Sequence, residues 1–284
     1  LRRLSSFSDS VTDAGQKAVL GAAVNGMGSS KIIKVFFGNV SDTDVLTSYL
    51  SLLDDACTSN MIEVLGELED RKMRRFLCNS LVGRATRNIS AFEAGLEDAR
   101  WFLVRNLVMI LGMTKDIRAV SLMEKVRRHP EVRVRREVVR ALKTMHSTES
   151  RGLLLPFLED SDPTVRIDAV TSLRRYGGND LFLLLKGIIE REDFREKSYS
   201  EKRELLGAFG EVGKEQAFPI LSGLFRKKGL FEREDAVELR ACAAYGLGYV
   251  RTADAISLLE KEVNSKKSIL RDACINALKE TPGK

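Results

Sequence analysis

Few side chains able to do chemistry occur in this chain, and they stand apart from one another. His129 and His146 are the only two histidines, and neither has the spacing of a metal ligand set. Carboxylate pairs such as Asp54–Asp55 and Glu69–Asp70 fall at expected turns and helix ends, where solvation explains them better than acid–base catalysis. No G-x-S-x-G elbow, P-loop or G-x-G-x-x-G run occurs, and "AAYGLGYV" lacks the strand–turn–helix setting that such glycines serve. Cys57, Cys78, Cys242 and Cys274 stand singly among apolar neighbours, with no C-x-x-C pair. They read as buried free thiols in a reducing compartment. The expectation is therefore no catalytic residue, no cofactor and no metal, in a protein that is not an enzyme.

The chemistry left is cationic, and "HPEVRVRREVVRAL" (129–142) concentrates it. Such a stretch either grips a polyanion or braces a scaffold. Self-comparison separates the two possibilities. "VRREVVRAL" starts at 134 and "VRIDAVTSL" at 165, 31 positions later; "LRACAAYGL" at 239 and "LRDACINAL" at 270 repeat that interval. All four open on an apolar residue followed by arginine, which places Arg135, Arg166, Arg240 and Arg271 in one register. A basic residue fixed in repeat register is expected to brace neighbouring repeats, because a guanidinium beside backbone ends can hold several hydrogen bonds at once. Val134, Val138, Ala141 and Leu142 follow i, i+4, i+7, i+8, one face of a helix.

A second kind of amphipathic helix is expected before each of these, over 119–130, 153–163, 217–229 and 255–267. Pro130 and Pro163 close one helix and open the next, where a missing N–H does no harm. The joining segments align Leu111 with Phe209 and Leu247, and Ala119 with Ala217 and Ala255. Upstream, 31–56 and 59–86 read as less regular helix pairs. "DARWFLVRNLVMILG" reads as a second-type helix about a turn longer than its siblings, and 190–204 as a charged connection inside one repeat. Paired helices at this period mean an all-α solenoid of stacked antiparallel pairs. We expect one solenoid over 12–284 with about seven pairs, irregular over 12–97 and regular over 98–280, after a frayed segment 1–11.

"HPEVRVRREVVRAL" and "DPTVRIDAVTSL" resemble HEAT repeats, and the stretch from Arg100 to Leu142 is similar to bacterial HEAT-repeat proteins of the phycobilisome-lyase-like type. The resemblance implies a right-handed superhelix, a scaffold or binding module, and a ladder in which a turn acid meets the register arginine of a neighbouring repeat. Asp160 or Asp162 suits that acid, but His129 stands in its place one repeat earlier. The iron hydroxylases built on such repeats need paired His-Glu motifs, which two isolated histidines do not supply.

The charge is local. The chain carries 46 basic and 40 acidic residues, +6; residues 98–149 hold 12 Lys or Arg against 6 Asp or Glu, also +6, so the rest sums to zero. Arg105 shares a column with Arg136, and Arg136, Arg140 and Lys143 follow i, i+4, i+7, expected as a solvent-facing stripe. A concave second-helix face bearing them would take a partner protein, with an acidic segment as the natural fit; a merely solvated face is the plain alternative. The rival reading is a nucleic-acid-binding solenoid with DNA-glycosylase-like activity, but the single Trp101 reads as packing and no aromatic interleaving favours base stacking. No membrane span is expected. The chain opens on Leu1, which reads as a fragment or processed product, so the expected cytoplasmic location rests on the thiols alone.

Overall fold

The computed structural model describes residues 22–23, 26–227 and 234–279; the segment 1–11 lies outside them. The chain divides into two compact units, residues 1–149 and 150–284. Among the described residues every regular element is helical, and no strand occurs.

In the first unit the helices are α1 (Ser30–Asn39), α2 (Thr43–Leu52), α3 (Thr58–Leu65), α4 (Arg71–Arg87), α5 (Trp101–Thr114), α6 (Arg118–Lys125) and α7 (Val132–Met145). Two 3-10 turns, Ile89–Phe92 and Ala94–Glu97, fill the place of a first helix ahead of α5. The second helices α4, α5 and α7 pack side by side. Next come α8 (Thr148–Leu154), α9 (Pro163–Leu173), α10 (Asn179–Glu190), α11 (Tyr199–Gly213), α12 (Phe218–Arg226), α13 (Glu234–Val250), α14 (Ala253–Glu260) and α15 (Ser268–Lys279). Here α9, α11, α13 and α15 pack in succession, and α10, α12 and α14 each lie on the helix that follows them. This is an α-solenoid of antiparallel helix pairs, as the 31-residue interval predicts.

Local chemistry fixes the helix starts. Asp42, Asp70 and Asp162 accept backbone N–H groups at the starts of α2, α4 and α9, and Pro163 takes the first position of α9. Ser198 accepts the Glu201 N–H and starts α11 at Tyr199, so residues 199–204 are helix rather than connection. The S-x-x-E spacing there is the start signal that the charge of the segment hides. Nor is α5 longer than its siblings: α5 and α7 have 14 residues each, while α4 and α13 have 17.

The periodic face is the core. Val134, Val138 and Leu142 of α7 are fully buried, as are Leu107 and Leu111 of α5. Neighbouring second helices approach through small residues. A Cβ added to Gly112 would lie 2.6 Å from the Ala141 Cβ, and one added to Gly210 only 2.2 Å from the Gly246 carbonyl oxygen. In each case the glycine follows the aligned Leu or Phe, and its neighbour precedes the aligned Leu of the next repeat. Four second helices end on a residue with positive φ, Lys115, His146, Lys214 and Arg251 at 54°, 48°, 47° and 58°; Lys115 and His146 are left-handed helical, whereas Lys214 has ψ −124°. Basic side chains at these ends complement the negative end of the helix dipole.

Candidate interaction face

The register arginines reach the turns and the neighbouring helices. Arg166 donates through Nη1 to the Asp160 and Ser161 carbonyls at 2.7 and 3.2 Å. Its Nε and Nη2 meet the Glu201 carboxylate at 2.6 and 2.7 Å. Glu201 is 2% exposed and sits 35 residues further along, so this bidentate pair ties one repeat to the next. Arg135 donates to the His129 and Pro130 carbonyls at 2.9 and 3.1 Å. Arg240, also buried, meets the Phe225 carbonyl at 2.8 Å and Glu262 at 2.8 Å. Arg271 differs: its Nε donates to its own neighbour Asp272 at 3.1 Å, and its side chain is 41% exposed.

His129 does what Asp160 does. The Asp162 N–H donates to Asp160 Oδ1 at 2.9 Å; one repeat earlier the Glu131 N–H donates to His129 Nδ1 at 3.0 Å. Histidine keeps the turn because only a neutral acceptor nitrogen is needed there. Burial holds its pKa below the ordinary imidazole value.

The basic window is less open than the sequence suggests. Arg105 Nε donates to Glu137 Oε2 at 3.1 Å, and Arg140 Nη1 lies 3.7 Å from the same oxygen. Glu137 is 7% exposed, so a buried carboxylate holds two arginines of adjacent second helices. Arg140 is exposed, whereas Arg136 and Lys143 are half-buried, which corrects the expectation of a fully solvent-facing stripe. The helix is crowded there because α5 packs directly on α7. Trp101 is half-buried, with Phe102 edge-on at 6.0 Å and the Arg133 guanidinium 4.6 Å from its ring centroid. At the start of α4, by contrast, Arg71, Lys72, Arg74 and Arg75 make no ion pair among the described residues. The buried residues Leu77, Leu107 and Val138 align, which puts Arg75 in the column of Arg105 and Arg136.

Two arginines escaped the sequence reading. Arg84, 5% exposed, donates to the Leu50, Leu53 and Asp54 carbonyls and to Asp55, closing the end of α2. Its signal was present: it follows Leu77 and Leu81 at helical spacing, on the core face. Arg174 meets Glu211 at 2.5 Å and Glu204 at 3.3 Å, and lies 4.5 Å from the Tyr249 ring centroid. Tyr245 completes the group, its hydroxyl 3.1 Å from that of Tyr249; burial pushes its pKa to about 12. Nothing local marks Arg174, because its partners lie 30 or more residues away.

The four cysteines are free and buried, and burial pushes the Cys78 thiol to about 11 and those of Cys242 and Cys274 to about 12. Among the described residues, no three His, Cys, Asp or Glu side chains are grouped to hold a metal, and no helix is long and apolar enough to cross a membrane.

Residues 120–201 match the sequence profile of the family described as HEAT repeats, and the chain is an all-α solenoid of helix pairs. Human deoxyhypusine hydroxylase, solved in complex with glycerol, is similar at 17% identity and a TM-score of 0.31, over 78% of this chain and 96% of that one. YibA of Escherichia coli is similar at 12% identity and a TM-score of 0.44, over 99% and 92%. An engineered protein is similar at 12% identity and a TM-score of 0.24, over 98% and 96%. A search of curated protein sequences returns no match.

Proposed function

We propose that the chain is a non-catalytic scaffold that takes a partner protein on the second-helix face of its first unit, with Arg105, Arg136, Arg140 and Lys143 facing an acidic segment of that partner. The observation that carries this reading is the confinement of the chain's whole +6 excess to residues 98–149. Arg75, which shares the column of Arg105 and Arg136 and has no ion-pair partner among the described residues, extends the same face onto α4. Equivalent side chains on stacked helices line up on a common surface rather than scatter, which suits an extended acidic ligand. HEAT repeats commonly serve protein interaction, and the likeness of 100–142 to the phycobilisome-lyase-like type of bacterial repeat supports a binding role of this kind. The buried thiols support a reducing, cytoplasmic setting.

The test uses a fluorescent poly-glutamate peptide and, beside it, a generic DNA duplex. The peptide should bind at moderate salt, and the triple change Arg105→Glu, Arg136→Glu, Arg140→Glu should abolish binding while leaving the helical spectrum intact. The same reversal at Lys261, Lys266 and Lys267, exposed lysines of the second unit, should leave it unchanged. Tighter binding of the duplex, with a steep salt slope from counterion release, would replace the protein partner by nucleic acid.

A further inference from the structure

A cavity of about 220 Å³ opens in the second unit, walled by Leu224, Ala236 and Leu239 and by Arg195, Lys202, Lys227 and Asp235. It lies between the 3-10 turn Glu192–Glu196, the first turn of α11, the end of α12 and the start of α13. Arg195, Lys227 and Asp235 are exposed and form its mouth, whereas Lys202 is 5% exposed. An ammonium has three N–H donors, and burying one without a counter-charge is costly. Lys202 Nζ donates to the Arg195 carbonyl at 3.3 Å, and no carboxylate among the described residues pairs with it. Its neighbour Glu201 is taken by Arg166 and by Lys197. Asp235 pairs with none of the three cations, so the described residues of the lining carry three positive charges against one negative, a net +2. Among the described residues, only the Arg195 carbonyl offsets the cost of burying Lys202 there.

We propose that this cavity binds a small carboxylate with an apolar body. Its oxygens would take the free N–H groups of Lys202, with Arg195 and Lys227 at the mouth, and its hydrocarbon would lie on Leu224, Ala236 and Leu239. A single buried cation between apolar walls matches a monoanion better than a phosphate, whose second charge would need further buried donors. A free carboxylic acid and the C-terminal carboxylate of a peptide ending in an apolar residue share this chemistry. The site has no residue in common with the basic face of the first unit, so the two readings stand or fall separately.

The experiment is calorimetry on the full chain with octanoate, N-acetyl-Ala-Leu, octanol and inorganic phosphate. Saturable binding of octanoate or of the dipeptide is expected, the tighter of the two naming the source, with no binding of octanol or phosphate. Lys202→Met should weaken the carboxylate about tenfold or more, because a charge-assisted hydrogen bond is lost. The double change Arg195→Gln, Lys227→Gln touches only exposed positions, so it keeps the test usable if Lys202→Met does not fold; it should weaken binding several-fold. Octanol binding as tightly as octanoate would overturn the proposal, as would undiminished carboxylate binding in the folded variants. Glu232 belongs to the segment 228–233, outside the described residues; binding seen only in Glu232→Gln would show that the chain neutralises Lys202 itself, and would overturn the proposal too.

Discussion

Each unit carries arginines on its second helices, but the two units use them differently. In the second unit Arg174, with its side chain 11% exposed, is held by Glu204, Glu211 and the Tyr249 ring, and α9, α11 and α13 are thereby tied together. In the first unit Arg105 and Arg140 share the single carboxylate of Glu137, with side chains 40% and 54% exposed. One guanidinium with two carboxylates and a ring is saturated. Two guanidinia on one carboxylate leave donors for something else. What decides between brace and grip is the ratio of acceptors to guanidinia within reach, and repeat register alone does not report it.

The comparison breaks first where the helices touch. Gly210→Val should cost the second unit about 3 kcal/mol or more, since the added atoms meet the Gly246 carbonyl at a contact that packed helices cannot widen cheaply. Urea unfolding followed by circular dichroism measures it, and near-native stability would mean that α11 and α13 pack more loosely than described. Next in size, Arg166→Ala should cost about 2–3 kcal/mol, because it leaves the buried Glu201 carboxylate with Lys197 alone, 3.6 Å away, as well as removing the hydrogen bonds.

A smaller effect depends on pH. Burial lowers the folded-state pKa of His129, so the folded protein binds fewer protons there than the unfolded chain. The stability that follows is fully present above the ordinary imidazole value, about 6.5, and is lost as pH falls through the lower folded value. Protonation of Nδ1 also removes the acceptor for the Glu131 N–H, a cap worth about 1 kcal/mol. His129→Asp should keep the turn through this range, as Asp160 does one repeat later. Melting temperatures of the two proteins should therefore diverge between pH 7 and pH 5, the parent falling further. Parallel curves would show that the imidazole does not cap the turn. The smallest effect sharpens the contrast with Arg166: Arg140→Ala should change stability by only a few tenths of a kcal/mol, as for other exposed pairs. Equal losses for Arg140→Ala and Arg166→Ala would erase the distinction between the two arginines.

Much of the architecture was legible in the residues. The spacing of Val134, Val138 and Leu142 defines a buried face whatever surrounds it, because an apolar stripe at helical period has to be covered. Repetition of that stripe every 31 residues then dictates stacked pairs, since one pair cannot cover its own face. The register of Arg135, Arg166 and Arg240 was legible for the same reason: a position defined by periodicity has the same surroundings each time. Arg271 has that register but a different neighbourhood, with Asp272 as its partner. Register sets where a side chain starts, and neighbours set where it ends.

Tertiary structure alone decided which charges are neutralised. Glu137 lies one residue from Arg136 and three from Arg140, and sequence spacing gives no reason for it to reach Arg105, 32 positions earlier on another helix. Arg174 finds Glu211 37 positions later, and Lys202 finds no carboxylate among the described residues although Glu201 adjoins it. Hydrophobic burial is non-directional and needs only a period, which a sequence displays directly. Ion pairing needs two particular atoms within a few ångströms, and the lateral fit of one second helix on the next settles that distance.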